Sequence, residues 1–338
     1  MSKIYQRKIF ALFSVIFVCL FILCSCVPSS VTEETVNPEK SDEIVLQAKF
    51  SVHFIDVGNG DCILIKFPDS KRMLIDCGDK IDGVYSKIND YLKSQNVDKI
   101  DFLVLTHPDR DHIGNAVDII NDFEIGTAYI PHILSNTLFP LFNSVKQELT
   151  AKNIDFQVSH LYSYIKGEGY SVAFLSPAPP GNKKSAYNIL NSARSPTAND
   201  INNVSPIIYV EYNGVRFLFT GDAGKSQEEY VLDLYKSSLY KRNFEYYGFD
   251  VNLENIDFLK VSHHGSDDAT SENFLQTLNP KNAVISVGGN NYYGLPSSNT
   301  LIRLNALSEE FELYRTDTKG SVAVYVNEMG NYRVITEL

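Results

Sequence analysis

The sequence predicts a layered α/β sandwich, and three observations predict it. Strand-like apolar runs fall into two groups, one before residue 107 and one after residue 206. Helical patterns follow several of those runs, the alternation that lays helices onto sheets. From Lys49 to Leu338 there is neither a second linker nor a repeat, so all of these elements belong to one domain, 48–338.

The first strand group is Phe50–Phe54, Cys62–Phe67, Arg72–Ile75 and Phe102–Thr106. The second is Ile207–Glu211, Val215–Thr220, Asp257–Val261, Ala283–Val287 and Ser321–Val326. Each is a short apolar or alternating run, and most are bounded by Gly, Pro, Asn or Asp. Helices are expected over Tyr85–Gln95, His112–Phe123, Phe139–Lys152, Ser226–Tyr235, Ser271–Leu278 and Ser298–Leu307, where apolar residues recur at helical spacing. Residues 163–203 and 236–254, rich in Gly, Pro, Asn and Tyr, read as long loops. With Asp69-Ser70 as a two-residue turn, 62–77 becomes a hairpin that sets Cys62, Leu64, Ile75 and Cys77 on one face. That pairing leaves two states open for the cysteines, a disulfide or two buried thiols.

The 338 residues carry a formal charge of −11, and 44% are apolar. The composition is globular, and the acidic balance excludes a surface that holds nucleic acid by its own basic field. The charge is unevenly spread. Residues 1–25 hold Lys3, Arg7 and Lys8 and no acid, so the remainder carries −14. The basic start and the apolar run Ile9–Leu23 have the form of a secretory signal. The run ends in Leu23-Cys24-Ser25-Cys26, which resembles the lipobox of bacterial lipoproteins and implies cleavage before Cys26 and acylation of its thiol. An uncleaved anchor helix is the rival reading. Either way the rest of the chain is expected outside the cytoplasmic membrane, tethered to it by the polar, acidic and disordered segment 26–47.

The chemistry concentrates at three strand ends. Phe102–Leu105 runs into Thr106-His107-Pro108-Asp109-Arg110-Asp111-His112, with four candidate ligands in six positions. Two imidazoles and two carboxylates suit a divalent ion; the plain alternative is a solvated turn with Asp111 capping a helix. Phe217–Thr220 leads to Gly221-Asp222, and Phe258–Ser262 leads to His263-His264-Gly265-Ser266. Four of the seven histidines lie at these ends. His107, Asp109, Asp111, His112, Asp222 and His263 supply enough ligands for two metal ions, with Asp222 as the bridge. Two ions a few ångströms apart can clamp both the attacking and the leaving oxygen of a phosphoryl displacement.

The order strand–HxxxDH, then TGD, then HHGS resembles the metallo-β-lactamase superfamily. Within it the chain is most similar to the C-terminal domain of ComEC-type DNA-uptake proteins. Residues carrying this include Phe54–Asp61, Leu74–Gly78, His107–Gly114, Asn202–Ser205, Thr220–Asp222, Lys260–Ser266 and Ser286–Gly288. The resemblance implies an αββα sandwich with the metals between the sheet edges. It also implies that Asp56 and Asp76 lie beneath the site and orient ligands, and that Asn203, Ser205, Gly265 and Ser266 meet substrate. The chain departs from the superfamily in two places. Asp109 stands where most members have a second His, which tilts the choice between Zn²⁺ and Mn²⁺ toward Mn²⁺, and Leu295 stands where ComEC-like domains often have His.

The expected activity is metal-dependent hydrolysis of a phosphodiester, with DNA as the substrate the resemblance suggests. Asp111 or Asp222 is expected to take a proton, and His264 to give one to the leaving group. A second reading is a surface phosphodiesterase for choline-phosphate or teichoic-acid groups. Tyr235, Tyr240, Phe244, Tyr246, Tyr247 and Phe249, with Tyr292 and Tyr293, would form the aromatic box it needs. A third is a lipid-tethered binding protein that lost its chemistry at Leu295.

Overall fold

A computed structural model describes residues 43–338 apart from Phe249 and the side chain of Lys241. The expected signal, Cys26 and tether residues 26–42 lie outside these. The last residues of the expected tether, 43–46, make one helical turn, with Gln47 N donating to Glu43 O.

The chain first lays down β1 (Phe50–Phe54), β2 (Ile63–Lys66), β3 (Arg72–Ile75), β4 (Lys99–Val104), β5 (Glu124–Ile130) and β6 (Asp155–Val158). It then builds β7 (Tyr164–Lys166), β8 (Tyr170–Phe174), β9 (Ile208–Tyr212), β10 (Val215–Phe219), β11 (Phe258–Lys260), β12 (Asn282–Ile285) and β13 (Glu312–Arg315). It returns to the first sheet with β14 (Val322–Val326) and β15 (Tyr332–Thr336). One sheet runs β15-β14-β1-β2-β3-β4-β5-β6 and the other β13-β12-β11-β10-β9-β8-β7. From β3 to β6, and from β10 to β13, neighbours are parallel. Sites in parallel sheets form where the strands end, at their carboxyl edge.

The inner faces meet in an apolar layer that includes Phe54, Ile65, Val172, Phe217, Phe258 and Val324. Aromatic rings stack within it: Phe50 on Tyr212 at 5.1 Å and Phe217 on Phe258 at 5.0 Å. Helices cover both outer faces, so the architecture is the expected αββα sandwich. Helix 140–151 illustrates why. Pro140 occupies its first turn, where a missing N–H costs nothing. Phe142, Val145 and Leu149 then share one buried face, each contributing about 1.5–3 kcal/mol on burial.

Two expectations are corrected. The segments read as loops, 163–203 and 236–254, contain β7, β8 and helices 186–192, 198–202 and 239–246. Gly167 and Gly169 sit between β7 and β8 and mask both runs. The hairpin of β2 and β3 is slipped by one residue, pairing Ile63 with Ile75 and Leu64 with Leu74. Its loop has three residues, because Ser70 takes a left-handed conformation (φ 66) and Phe67 N donates to Lys71 O. The slip turns Ile75 to the layer between the sheets and leaves Leu74 with Leu64 on the helical side. Cys62 and Cys77 join that helical side as free, buried thiols, so no disulfide links them. Burial pushes both thiols well above their ordinary range.

Candidate metal centre

Two sheets contribute to one cluster at their carboxyl edges. After β4, Thr106 and His107 begin the loop that leads to Asp109, Asp111 and the short helix 110–113, which carries His112. After β10, Gly221 turns the chain at φ 49 and presents Asp222. After β11, Ser262–Gly265 makes one tight turn in which His263 (φ 50) and His264 (φ 52) are both left-handed. That backbone is rare for residues other than Gly, and it points two adjacent imidazoles to different surroundings.

Asp222 is the hub. Its Oδ1 stands 3.3 Å from His112 Nε2 and 3.7 Å from His264 Nε2, and its Oδ2 stands 3.8 Å from both His107 Nε2 and His263 Nε2. Three residue groups bring ligand atoms close enough to share an ion: His107, His112 and Asp222; Asp111, His112 and His264; and Asp61, Asp76 and His112. The residues fit a cation by a second criterion. His107 Nε2 and Asp222 Oδ1 are buried and make no hydrogen bond, which is costly unless something else meets them. Asp109 sits at the lip, 41% exposed, with Oδ2 3.7 Å from His107 Nε2.

The ligands are held from behind. His112 Nδ1 meets Asp76 Oδ2 at 2.7 Å, and Asp76 also accepts from the backbone N–H and hydroxyl of Thr106. His107 Nδ1 lies 3.2 Å from Ser205 Oγ. His264 Nδ1 donates to the Ser286 carbonyl at 2.8 Å, which frees Nε2 to face the cluster. The structure therefore groups His264 with Asp111 and His112, while His263 Nε2 reaches Asp222 Oδ2 at 3.8 Å from the other side. His263 lines the outer wall, 25% exposed, with Nδ1 3.0 Å from Asp268 Oδ1 and Asn202 against its ring.

Electrostatics follow from this packing. Burial and the neighbouring His112 push His107 down to about 3. Burial works against charge on His112, but Asp222 and Asp76 outweigh it and raise the imidazole well above its ordinary value. Burial likewise opposes charge on Asp222 and Asp111. The histidines outweigh it and hold both carboxyls well below the usual range. At Asp109 burial and the charge of Asp111 outweigh the pull of His112 and His263 and push it up to about 6.

Several sequence assignments change place. Asp56 is not beneath the site: its Oδ2 pairs with Lys87 Nζ at 2.6 Å and its Oδ1 accepts from Gly58 N. Asp61 takes that position, with Oδ2 2.7 Å from Lys260 Nζ and Oδ1 3.8 Å from His264 Nδ1. Asp61 and Lys260 stand in motifs that carry the family resemblance, but a glycine turn carrying two acids does not reveal which faces inward. Asn203 accepts from Gly224 N and donates to Asn199, so it braces a loop, and its neighbour Asn202 lines the cavity instead. Ser205 is fully buried behind His107. Ser266 does line the cavity, whereas Gly265 (φ 84) fits against Pro296, where a Cβ would come within 2.5 Å.

The cluster opens into a cavity of 780 Å³ walled by Asp109, Asp111, His263, Tyr292 and Tyr293 among others. The expected aromatic box does not assemble. Tyr240 and Phe244 are buried in the core and Tyr247 stacks on Tyr164 at 4.3 Å; Phe249 lies outside the described residues. Among the described residues, no helix is long and apolar enough to cross a membrane.

The chain is similar to ComE operon protein 3 of Bacillus subtilis (strain 168), at 27% identity over 307 residues, covering 86% of this chain and 35% of that protein. It is similar to Competence protein ComA of Neisseria gonorrhoeae, at 24% identity over 282 residues, covering 83% of this chain and 33% of that protein. The chain thus spans only about a third of the length of these relatives. Among solved structures it resembles the metallo-beta-lactamase fold protein YhfI from Bacillus subtilis, with a TM-score of 0.45 and 12% identity, covering 80% of this chain and 98% of that one. The family model described as "Metallo-beta-lactamase superfamily" matches residues 55–289, which include every residue of the cluster around Asp222. The chain belongs to the metallo-beta-lactamase superfamily.

Proposed function

We propose that the chain is a metal-dependent phosphodiesterase that cuts DNA outside the cytoplasmic membrane, anchored there through lipid on Cys26. The observation that carries the hydrolase reading is the pair of buried ligand atoms without a hydrogen bond, His107 Nε2 and Asp222 Oδ1, of which Asp222 lines an open cavity and His107 lies buried beside it. His107, His112 and Asp222 would hold one divalent ion, Zn²⁺ or Mn²⁺, and Asp111 and His264 a second that shares Asp222. Such ions lower the pKa of bound water and offset phosphate charge. The protein's own groups orient and confine. Asp76 and Ser205 fix the imidazoles of His112 and His107, Ser286 fixes His264, and Asp111, with Oδ2 3.5 Å from His264 Nε2, faces the cavity where it would take a proton. The DNA assignment is supported by the likeness to the two competence-related relatives.

The test is a metal-reconstituted assay against DNA, RNA, bis-p-nitrophenyl phosphate and p-nitrophenyl phosphorylcholine, alongside Asp222→Ala. Hydrolysis of DNA that disappears in Asp222→Ala is the expected result. Full activity in that variant would refute the mechanism, and turnover confined to the phosphorylcholine ester would refute the substrate. Intact Met1 in the purified protein's mass would refute the lipid anchor.

A further inference from the structure

We propose that Tyr292 and Tyr293 form a stacking platform that receives an unpaired nucleobase beside the candidate metal centre. This rests on the phosphodiesterase reading and adds to it what lies next to the scissile phosphate. Both tyrosines line the cavity that contains Asp111, Asp222 and His264. They are 97% and 73% exposed. Rings of this size are normally buried, as Tyr240 and Phe244 are.

The rings are presented by a fixed turn. Asn291 Nδ2 donates to the carbonyls of Gly288 and Leu295 at 2.9 and 2.7 Å, and its Oδ1 accepts from Leu295 N at 2.9 Å. Gly294 turns the chain at φ 66, and Leu295 packs on the core beneath. A ligand meeting these rings therefore has little loop to order, which favours binding.

Geometry and charge select the ligand. The rings stand edge to face, centroids 5.8 Å apart and planes at 85°, so ring faces remain open for a flat partner. Two rings do not enclose a quaternary ammonium group, which is held by a cage of several. The cavity's Arg110 is occupied by Asp79 at 2.8 Å and by the Lys80 carbonyl, and nearby Lys225 donates to the Asp267 carbonyl at 2.8 Å. Grip on the chain beside the scissile phosphate then falls to stacking, which every base can offer. A duplex keeps its base faces inside its own stack, so the platform discriminates for single strands.

The chain contains no tryptophan, so Tyr292→Trp places a single reporter at the mouth. The full chain carrying it is titrated, with chelator present, with a single-stranded oligonucleotide, a blunt duplex of the same length, and phosphocholine. Saturable quenching by the single strand alone is expected. Adding Tyr293→Ala should weaken that binding roughly tenfold. In a second measurement, Tyr292→Ala should weaken binding of a fluorescein-labelled single strand by a similar factor. Equal quenching by duplex, quenching by phosphocholine, no quenching, or unchanged affinity in Tyr292→Ala would each overturn the platform. Hydrolysis of bis-p-nitrophenyl phosphate, which has no base, by the unaltered chain judges the catalytic reading separately.

Discussion

Replacing Lys260 by Met should destabilise the fold far more than a typical point change, and replacing its partner as well should recover most of the loss. Lys260 Nζ lies 2.7 Å from Asp61 Oδ2, and both side chains are essentially inaccessible to water. Lys260→Met fills the space but leaves the Asp61 carboxylate in the core. The nearest groups that could compensate are His264 at 3.8 Å and His112 at 4.0 Å, and neither replaces a fixed ammonium. Removing one member of a buried pair costs about 3–5 kcal/mol, whereas replacing both with neutral groups is often close to neutral. At about 2–4 °C per kcal/mol for a domain of this order, Tm should fall by roughly 6–20 °C. The assay is urea unfolding followed by circular dichroism, with chelator throughout, on the parent, Lys260→Met, Asp61→Asn and the double variant. A loss below about 1 kcal/mol in Lys260→Met, or a double variant equal to the sum of the singles, would refute the claim that these charges are coupled.

Two further outcomes follow from the same geometry. Asp76→Asn removes the carboxylate that fixes His112 Nδ1 at 2.7 Å; metal affinity should fall about 10–100-fold, measured by competition with a chromophoric chelator, and an unchanged affinity would count against the arrangement. Burial and the charges of Lys66 and Arg72 push His53 down to about 3, so between pH 6.5 and 3 the unfolded chain binds a proton that the folded chain refuses, and stability from this residue falls as pH falls, by about 1.4 kcal/mol per pH unit. His53→Gln should flatten that acid limb in urea titrations between pH 4 and 6, and an identical slope in variant and parent would contradict it.

Several central strands were legible in the sequence because tertiary context and local pattern agree there, whereas β5 and β8, which also lie inside their sheets, were not expected as strands. β1 and β3 match their expected bounds, and β10 differs by one residue, since each is an apolar run ended by turn residues. Edge strands carried no such signal. β6 is Asp-Phe-Gln-Val with three exposed residues, and β15, Tyr-Arg-Val-Ile-Thr, breaks the apolar–polar alternation at Val334-Ile335 and lies on the outer edge of its sheet. The candidate ligands were legible because they crowd at strand ends. Their division of labour was not. Asp56 and Asp61 share one glycine-rich turn, and only its path, with Gly58 at φ 77 and Gly60 at φ 137, sends the second inward. His263 and His264 are neighbours whose left-handed backbones defeat any alternation rule, so sequence alone could not say which one faces the cluster.

The cluster draws on both halves of the sandwich. His112 and His264, 3.3 Å apart, are separated by 152 positions in the chain, and Asp61 and Lys260 meet across a similar interval. Contacts of such long range form late, after the loop-closure cost of the intervening chain has been met. The candidate centre therefore completes itself only when the two sheets dock. Whatever binds there binds the docked form alone and stabilises it by mass action. Occupancy of the centre would then serve as a clasp on the sandwich, and resistance to proteolysis would report it without any substrate at hand.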